Sequence, residues 1–571
     1  MKAIRKSDLL ASRARLKIEA RRKSDKEEMM PGMIRGFFGQ FSAAAIAAAL
    51  LFSAAAARVQ TDTGLVEGVA ENGVTVFKGI PFAAAPVGAL RWRAPEPPAS
   101  WPGVWDADRF APICPQTGAY PDDSPPEPQS EDCLYLNIWA PANARAGAPL
   151  PVMVWIHGGG LLNGSGSNPV YAGDALARRG VIVVTFNYRL GALGFLAHTE
   201  LSLESPKKIS GNYGHLDQIA ALEWVQRNIA AFGGDPANVT VFGQSSGAIS
   251  ISALIASPLA KGLFHRAIGQ SGGLFEPLDA APEFKLAGAQ EVGAAFAQRL
   301  GAPTLEKMRA APVNDILEQR FYPQATIDGY FLAETPFETF AAGRQNAVDA
   351  LVGSNEGEGL YFIAGREVNA ANMTDELKRD FPPFIVSLIG PKPQPDDAAA
   401  RAAFIAFEGD MRFSWNMRTW ARLAAASGRS AYLYRFAATP PGEEGASHGA
   451  ELRYVFGNPP ASGAWADKDR ALSQTLIAYW TNFAATGDPN GEGLSEWPRF
   501  AAPDERALLI GDEIAAGALE NAESLNAIDR LYAAVRFALN YGYAVAAVAA
   551  LLILLVLYKI AAALARALRR R

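Results

Sequence analysis

Short apolar runs alternate with segments of helical periodicity through the middle of the chain. The runs Val74–Phe77 and Leu134–Ile138 predict strands of a mixed or antiparallel leading sheet. The runs Pro151–Ile156, Val181–Phe186 and Val239–Phe242 are almost wholly apolar, which indicates strands that are covered on both faces. Because helical spacing separates these runs, the pattern favours an α/β fold with a large, mostly parallel central sheet flanked by helices.

The segments around these strands carry helical signals. Apolar residues in Asp217–Ala231 recur at helical spacing, and Ala248–Ile255 begins a helix shortly after a predicted strand. The stretches 276–325 and 365–400, rich in Ala, Gly and Pro, predict helical excursions over the sheet. No clear linker divides 58–515, so we expect one large domain there.

The N-terminal residues 1–57 have the layout of an export signal. Residues 1–35 carry eleven Lys or Arg against five acidic residues, and 22 uncharged residues lie between Arg35 and Arg58. A basic leader followed by an apolar segment that ends in small residues is typical of a signal peptide. An uncleaved membrane anchor is the alternative, since this uncharged segment is just long enough to span a bilayer.

A second uncharged segment, 537–558, lies near the C-terminus. Tyrosines stand near both of its ends, and residues 559–571 contain five basic residues and no acidic one. We therefore predict a transmembrane helix over 537–558, a cytoplasmic tail over 559–571, and a stalk over 516–536. A buried helix is the alternative, but 544–557 has no polar face. The two ends together predict an exported, membrane-anchored protein whose main domain lies on the periplasmic or extracellular side.

Charge divides the chain into basic ends and an acidic body. The whole chain has a net charge of −5, whereas residues 36–558 alone carry 37 basic and 53 acidic residues. Nucleic-acid binding needs clustered Lys and Arg to neutralise phosphates. The acidic body therefore argues against a nucleic-acid partner.

The chain has two cysteines, Cys114 and Cys133. In an exported domain, two cysteines can form one disulfide. The sequence contains no C-x-x-C, H-E-x-x-H or G-x-G-x-x-G motif. The usual signals for zinc and dinucleotide sites are therefore absent, and we expect no cofactor.

Gly243-Gln244-Ser245-Ser246-Gly247 follows a predicted strand and precedes a predicted helix. This order is that of a nucleophile elbow, in which a tight turn presents the serine above the sheet. The positive end of the following helix favours developing negative charge. Ser245 is therefore the candidate nucleophile, and a purely structural turn serine is the alternative.

His157-Gly158-Gly159-Gly160 follows another predicted strand. Residues without side chains let their backbone N–H groups approach a tetrahedral oxyanion closely. We assign the candidate oxyanion hole to the N–H groups of Gly159, Gly160 and Ser246.

Five histidines compete for the role of general base. In the chain order serine, acid, histidine, the choice falls between His265 and His448, and His265 follows the nucleophile too closely for an acid-bearing strand to intervene. His448 is therefore the candidate base. The segment 349–359 predicts a strand followed by a carboxylate-bearing loop, and spacing alone leaves both Glu356 and Glu358 open as the acid.

Taken together, these residues resemble the type-B carboxylesterase/cholinesterase family of α/β-hydrolases. The resemblance runs from about Val59 to Phe500 and includes the segments Phe77–Phe82, Leu90–Trp92, Glu131–Asn137 and Phe232–Gly247. It implies an α/β-hydrolase fold and the hydrolysis of small-molecule esters through an acyl-enzyme.

The resemblance also selects the acid and marks departures from the family pattern. The usual Asn-x-Asp-Glu-Gly falls on Asn355–Gly359, which places the catalytic glutamate at Glu358. Gln244 and Ser246 stand where the family usually has Glu and Ala. Ser271 resembles a family position that supports the triad without reacting itself.

Cys114 and Cys133 match the first disulfide of the family. In cholinesterases the loop between these cysteines carries a choline-binding Trp, whereas here its aromatic residue is Tyr120. Because a cation–π cage needs an aromatic face, choline esters are disfavoured.

Together these inferences predict a serine carboxylesterase that needs no cofactor. Ser245 attacks the ester carbonyl, His448 accepts the serine proton, and Glu358 orients His448. One alternative is an amide, carbamate or thioester hydrolase that uses the same triad. The other is a catalytically inactive adhesion protein, a class that the family contains, but such proteins lose the nucleophile or its partners and this chain keeps all three.

Overall fold

Thirteen strands in the described part of the chain pair into one large mixed sheet. The computed structural model describes residues 57–118, 127–460 and 463–542, together with Leu551 and Leu554. Nearly all of the predicted export segment, most of the predicted transmembrane helix and the basic tail lie outside these residues. Within the described ranges, no helix combines the length and the apolar character that a membrane span requires.

The strand order places parallel strands in the middle of the sheet and antiparallel strands at its ends. The strands are β1 (Ala57–Gln60), β2 (Leu65–Glu71), β3 (Val74–Pro81), β4 (Val104–Asp106), β5 (Tyr135–Pro141), β6 (Leu150–Ile156), β7 (Ile182–Phe186), β8 (Gly234–Gln244), β9 (Arg266–Gln270), β10 (Asp349–Asn355), β11 (Ala431–Phe436), β12 (Ala507–Ile510) and β13 (Ile514–Gly517). Their spatial order is β1-β2-β3-β5-β7-β6-β8-β9-β10-β11-β12-β13, with β4 beside β2.

Neighbouring strands from β7 to β12 are parallel, as the apolar runs predict. The other pairings are antiparallel, apart from the parallel pairing of β4 with β2, so the sheet as a whole is mixed while its centre is parallel. The short connections explain this difference, because the turn Asn72-Gly73 between β2 and β3 can join only antiparallel strands. Both turn residues have positive φ angles, 49° and 79°, as a tight hairpin turn requires.

Helices cover both faces of the sheet. They are α1 (Asp174–Ala177), α2 (Gly191–Phe195), α3 (Thr199–Glu204), α4 (Tyr213–Asn228), α5 (Ser246–Ala256), α6 (Leu286–Arg299), α7 (Leu305–Ala310), α8 (Val313–Glu318), α9 (Pro336–Ala341), α10 (Leu360–Ile363), α11 (Met373–Asp380), α12 (Pro383–Ile389), α13 (Asp397–Gly409), α14 (Trp415–Ala426), α15 (Leu452–Phe456), α16 (Asp467–Thr486) and α17 (522–542). A π-helical turn, Asp410–Ser414, joins α13 to α14. Helices α6–α8 and α11–α13 confirm the two predicted helical excursions.

Alternate residues of the central strands enter two separate hydrophobic cores. In β6, Val152, Val154 and Ile156 belong to one core, whereas Met153 and Trp155 belong to the other. Because side chains alternate across a strand, a sheet covered on both faces needs apolar residues at successive positions. The apolar run that predicts β6 is continuous because both faces of this strand are buried.

The C-terminal helix α17 packs on the body through residues 525–536. Leu525 and Ile528 are buried in the main core, and the indole N–H of Trp415 donates to Asp529. The segment 516–536, predicted as a stalk, therefore contains core residues of the folded body. Alternation of buried and exposed positions along a helix is what allows one face to pack while the other remains in solvent.

A disulfide joins Cys114 to Cys133, with their Cα atoms 5.0 Å apart. Both residues are buried in the main core, and Cys133 lies two residues before the start of β5. Residues 119–126, which include Tyr120, lie outside the described residues.

Candidate active site

Ser245 occupies the single position between the end of β8 and the start of α5. Its backbone has φ 56° and ψ −126°, a strained conformation for a residue with a side chain. Its N–H donates to the carbonyl of Gln270 on the neighbouring strand at 2.8 Å. Ser245 is partly exposed, whereas Gln244 and Ser246 are buried, so the turn lifts this one side chain out of the sheet.

The two glycines of the elbow are required by close contact with β6. A Cβ atom on Gly247 would lie 2.1 Å from the carbonyl oxygen of Ile156, and one on Gly243 would lie 2.7 Å from that same oxygen. Both distances are below any real contact of a Cβ atom. The G-x-S-x-G spacing therefore has a steric cause in this fold as well as a conformational one.

The glycine loop after β6 lies against the elbow. A Cβ on Gly158 would lie 2.7 Å from the carbonyl oxygen of Gln244, and Gly159 has a φ of 105°. The side chain of His157 is fully buried beneath the loop, stacked on Tyr188 with ring centroids 4.3 Å apart. Burial lowers the pKa of His157 to about 4, so its ring is neutral at neutral pH.

Glu358 and His448 meet through a short hydrogen bond. His448 Nδ1 donates to Glu358 Oε2 at 2.6 Å. The Glu358 side chain is fully buried, and its other oxygen accepts from the Ser271 hydroxyl and from the Asn355 N–H. Glu356, the alternative acid, is exposed. The fold thus brings Glu358 rather than Glu356 to the candidate base.

The other ring nitrogen of His448 contacts Gln244. Gln244 Nε2 lies 3.0 Å from His448 Nε2, so the amide donates to this nitrogen when the nitrogen is unprotonated. Ser245 Oγ, in contrast, has no hydrogen-bond partner among the described residues. His448 is therefore held between Glu358 and Gln244, and Ser245, the candidate nucleophile, follows Gln244 directly in the chain.

Aromatic side chains hold the His448 ring on its face. Phe413 stacks on it with centroids 4.4 Å apart and an interplanar angle of 22°, and Tyr361 lies at 5.7 Å. Phe413 belongs to the π-helical turn between α13 and α14, and π-helical turns occur frequently at functional sites. No sequence motif signals this contact, because it joins two segments that lie apart in the chain.

A second buried carboxylate, Glu451, lies behind the acid–base pair. It accepts from Gln270 Nε2 at 2.9 Å and from Asn355 Nδ2 at 2.6 Å, which links the last residues of strands β9 and β10. Burial raises the pKa of Glu451, the charge of Glu358 raises it further, and the two amide hydrogen bonds lower it. Sequence reasoning missed this residue, although its position three residues after His448 was a usable signal.

The remaining histidines and acids form no second centre in the described ranges. No group of three or more His, Cys, Asp or Glu side chains there is arranged to hold a metal ion. His265 accepts from the N–H of Val239, and His215 is buried against Phe331. His215 thus lies in the packed core, whereas His265 is partly exposed, and neither forms a hydrogen bond or ring contact with Glu358 or His448 among the described residues.

Known proteins match the chain across this whole body. The family model described as "Carboxylesterase family" matches residues 55–527. Fumonisin B1 esterase of Sphingopyxis macrogoltabida is 40% identical over 479 residues, covering 80% of this chain and 87% of that protein. Para-nitrobenzyl esterase of Bacillus subtilis (strain 168) is 38% identical over 488 residues, covering 80% and 95% respectively.

Solved structures give the same result. A structure of PNB esterase matches with a TM-score of 0.72 and 35% identity, over 82% of this chain and 99% of that one. A carboxylesterase structure from Geobacillus stearothermophilus matches with a TM-score of 0.72 and 33% identity, over the same shares of the two chains.

Proposed function

The chain belongs to the carboxylesterase family and is a carboxylic ester hydrolase, and we propose that it works through an acyl-enzyme on Ser245. His448 accepts the serine proton as Ser245 attacks the ester carbonyl, and then gives that proton to the leaving alcohol. Glu358 orients the ring and stabilises its charged form. In the second half of the reaction, water attacks the acyl-enzyme carbonyl and gives its proton to His448. His448 returns the proton to Ser245 as the acid product leaves.

In this proposal Gln244 must give up its hydrogen bond to His448. His448 Nε2 can accept one hydrogen bond, and Gln244 donates to it in the structure at 3.0 Å. The nitrogen therefore exchanges Gln244 for Ser245 Oγ before the proton moves. Hydrogen bonds of catalytic groups commonly tighten only when substrate binds, so this exchange belongs to formation of the substrate complex.

The oxyanion formed in each step is assigned to the N–H groups of Gly159, Gly160 and Ser246. The positive φ angles of the two glycines, 105° and 65°, suit a loop whose N–H groups turn toward one point. Ser246 begins α5, so its N–H is one of the unpaired donors at a helix N-terminus. This arrangement supports stabilisation of negative charge above Ser245.

The 2.6 Å bond between Glu358 and His448, beside the strained Ser245, is the observation that supports this function most directly. Ser245→Ala should lower kcat on an aryl acetate by about 10⁴-fold or more, because the acyl-enzyme can no longer form. The variant should also lose labelling by a fluorophosphonate probe.

Circular dichroism of the Ser245→Ala variant provides the control for folding. Activity or labelling that survives in the folded variant would contradict the assignment of the nucleophile. A wild-type chain that neither reacts with the probe nor hydrolyses the ester would favour the inactive adhesion class. Comparison of ester, amide, carbamate and thioester substrates with one acyl group tests the remaining alternative.

We propose further that the chain is exported and held at a membrane by 537–558. The buried Cys114–Cys133 disulfide supports an extracytoplasmic location, because such bonds persist in oxidising compartments. The exposed side chains of Phe537 and Tyr541 on α17 support the anchor, because both residues belong to the uncharged segment 537–558. In this proposal 1–57 is the export segment and 559–571 stays in the cytoplasm.

A further inference from the structure

The three N–H groups of the proposed oxyanion hole come from two separate segments of the chain. Gly159 and Gly160 belong to the loop after β6, whereas Ser246 begins α5 after β8. Neither glycine has a side chain that could fix its place. Since the donors must be in position before charge develops, something else has to hold the loop at a set distance from the helix.

The backbone N–H and carbonyl of Leu161, the next residue of the loop, both form hydrogen bonds. Its N–H donates to Ser246 Oγ at 3.1 Å, and its carbonyl accepts from the Gly191 N–H at 2.7 Å. Leu161 has a φ of 59°, which is rare for a residue with a side chain. Leu161 and Ser246 are 4% and 3% exposed, so water offers no easy substitute for this bond.

The hydroxyl of Ser246 therefore joins the two segments that carry the hole. The glycines of the elbow permit the close approach of β6 that puts this hydroxyl within reach. Tyr188 also interacts with Ser246, and its hydroxyl donates to the carbonyl of His157 at the base of the same loop. An alanine, which is usual at this position in the family that the sequence resembles, would offer Leu161 no acceptor.

We propose that the Ser246 side chain is a positioning group that fixes the glycine loop against α5 and so preorganises the oxyanion hole. This inference rests on the proposed acyl-enzyme mechanism and adds a second role to Ser246, whose backbone N–H is one of the donors. The hydroxyl itself contacts neither substrate nor nucleophile. Its contribution is made in the transition state, where the oxyanion forms, and hardly at all in substrate binding.

Ser246→Ala tests the proposal through two readouts. We expect kcat on an aryl acetate to fall about tenfold, because an unpaired buried N–H releases the loop, while KM stays unchanged. A trifluoromethyl ketone, whose serine adduct carries an oxyanion, should bind more weakly by the same factor as kcat falls. A thermal denaturation curve reports whether the variant remains folded.

Ser250→Ala is the matched control. Ser250 lies one turn later on α5, is fully buried, and donates to the carbonyl of Ser246 at 2.8 Å, yet it contacts no part of the loop. Its kcat and ketone affinity should remain those of the wild type. If Ser246→Ala also keeps both values, the proposal is wrong.

The proposal is equally wrong if Ser246→Ala lowers stability but changes the inhibition constant of the ketone and KM by the same factor. Such a result would be a general structural effect rather than a loss of oxyanion stabilisation. Failure of the proposed function looks different. In that case Ser245→Ala would retain activity, or the wild type would have none, whatever the behaviour of Ser246.

Discussion

Gln244 occupies the position where a change of one atom alters what His448, the proposed base, can do. Its carboxamide lies beside His448 and Gly449, and it contacts the ring nitrogen that Ser245 needs in the proposed mechanism. An amide can donate to a neutral ring or, after rotation, accept from a protonated one. The glutamate that is usual here in the family can only accept, and its charge favours the protonated ring.

Gln244→Glu should therefore move the acidic limb of the kcat/KM profile to higher pH by about one unit, because a nearby carboxylate stabilises the imidazolium. The base must be neutral to accept the proton, so activity disappears at a higher pH than in the wild type. The measurement is kcat/KM against pH on a substrate that does not titrate. Gln244→Met, which has similar length and no charge, should leave the limb in place, and equal shifts in the two variants would refute the electrostatic argument.

At the scale of elements, α17 supports the segment that packs on His448. Asp529 on this helix accepts from Trp415 Nε1 at 2.7 Å and from Arg418 Nη2 at 2.6 Å. Trp415 begins α14 directly after the π-helical turn that carries Phe413. Further along α17, the Arg536 guanidinium lies 3.4 Å from the centre of the Phe337 ring and donates to the carbonyl of Phe275.

Asp529→Ala should lower the free energy of unfolding by about 3 kcal/mol, because it removes the short ion-pair partner of a buried guanidinium. The Arg418 side chain is 1% exposed, so solvent cannot replace the lost carboxylate. Urea unfolding measures the change. Arg530→Ala, at an exposed position of the same helix, should have no effect, and an unchanged midpoint for Asp529→Ala would show that α17 adds little to the body.

At the scale of the whole molecule, the boundary between the body and the proposed anchor falls within α17. Leu525 and Ile528 are buried, whereas Phe537 and Tyr541 are 58% and 55% exposed. The helix therefore leaves the core at about the residue where the predicted anchor begins. A chain cut before the helix loses core side chains, whereas a chain cut after it loses none that the structure describes.

Truncation after Gly542 should release the protein from the requirement for detergent without changing kcat/KM on a small ester. Truncation after Ala516 should instead unfold the protein or lower its stability severely, because it removes Leu525, Ile528 and Asp529 from the core. Fractionation of the full-length chain and of both truncated chains, followed by assay, measures these effects. The anchor is refuted if the full-length chain fractionates without detergent, and the boundary is refuted if the shorter chain is fully active and stable.

The sequence alone determined the central part of the fold and pointed to Ser245 in the elbow as the candidate nucleophile. Apolar runs identify β6, β7 and β8 because burial on both faces of a sheet leaves no place for polar residues. The elbow is recognisable because a tight turn between strand and helix demands glycines next to the serine. His448 follows from chain order and elimination, which need no contact to be known.

The tertiary structure decided what depends on contacts between distant residues. Residue spacing left Glu356 and Glu358 open, the resemblance selected Glu358, and the fold buries that residue against His448 while it exposes the other. The Gln244 and Phe413 contacts to the same ring join segments far apart in the chain. The packing of α17 has the same cause: local pattern reports whether a residue is apolar, but only the assembled core determines which surface covers it.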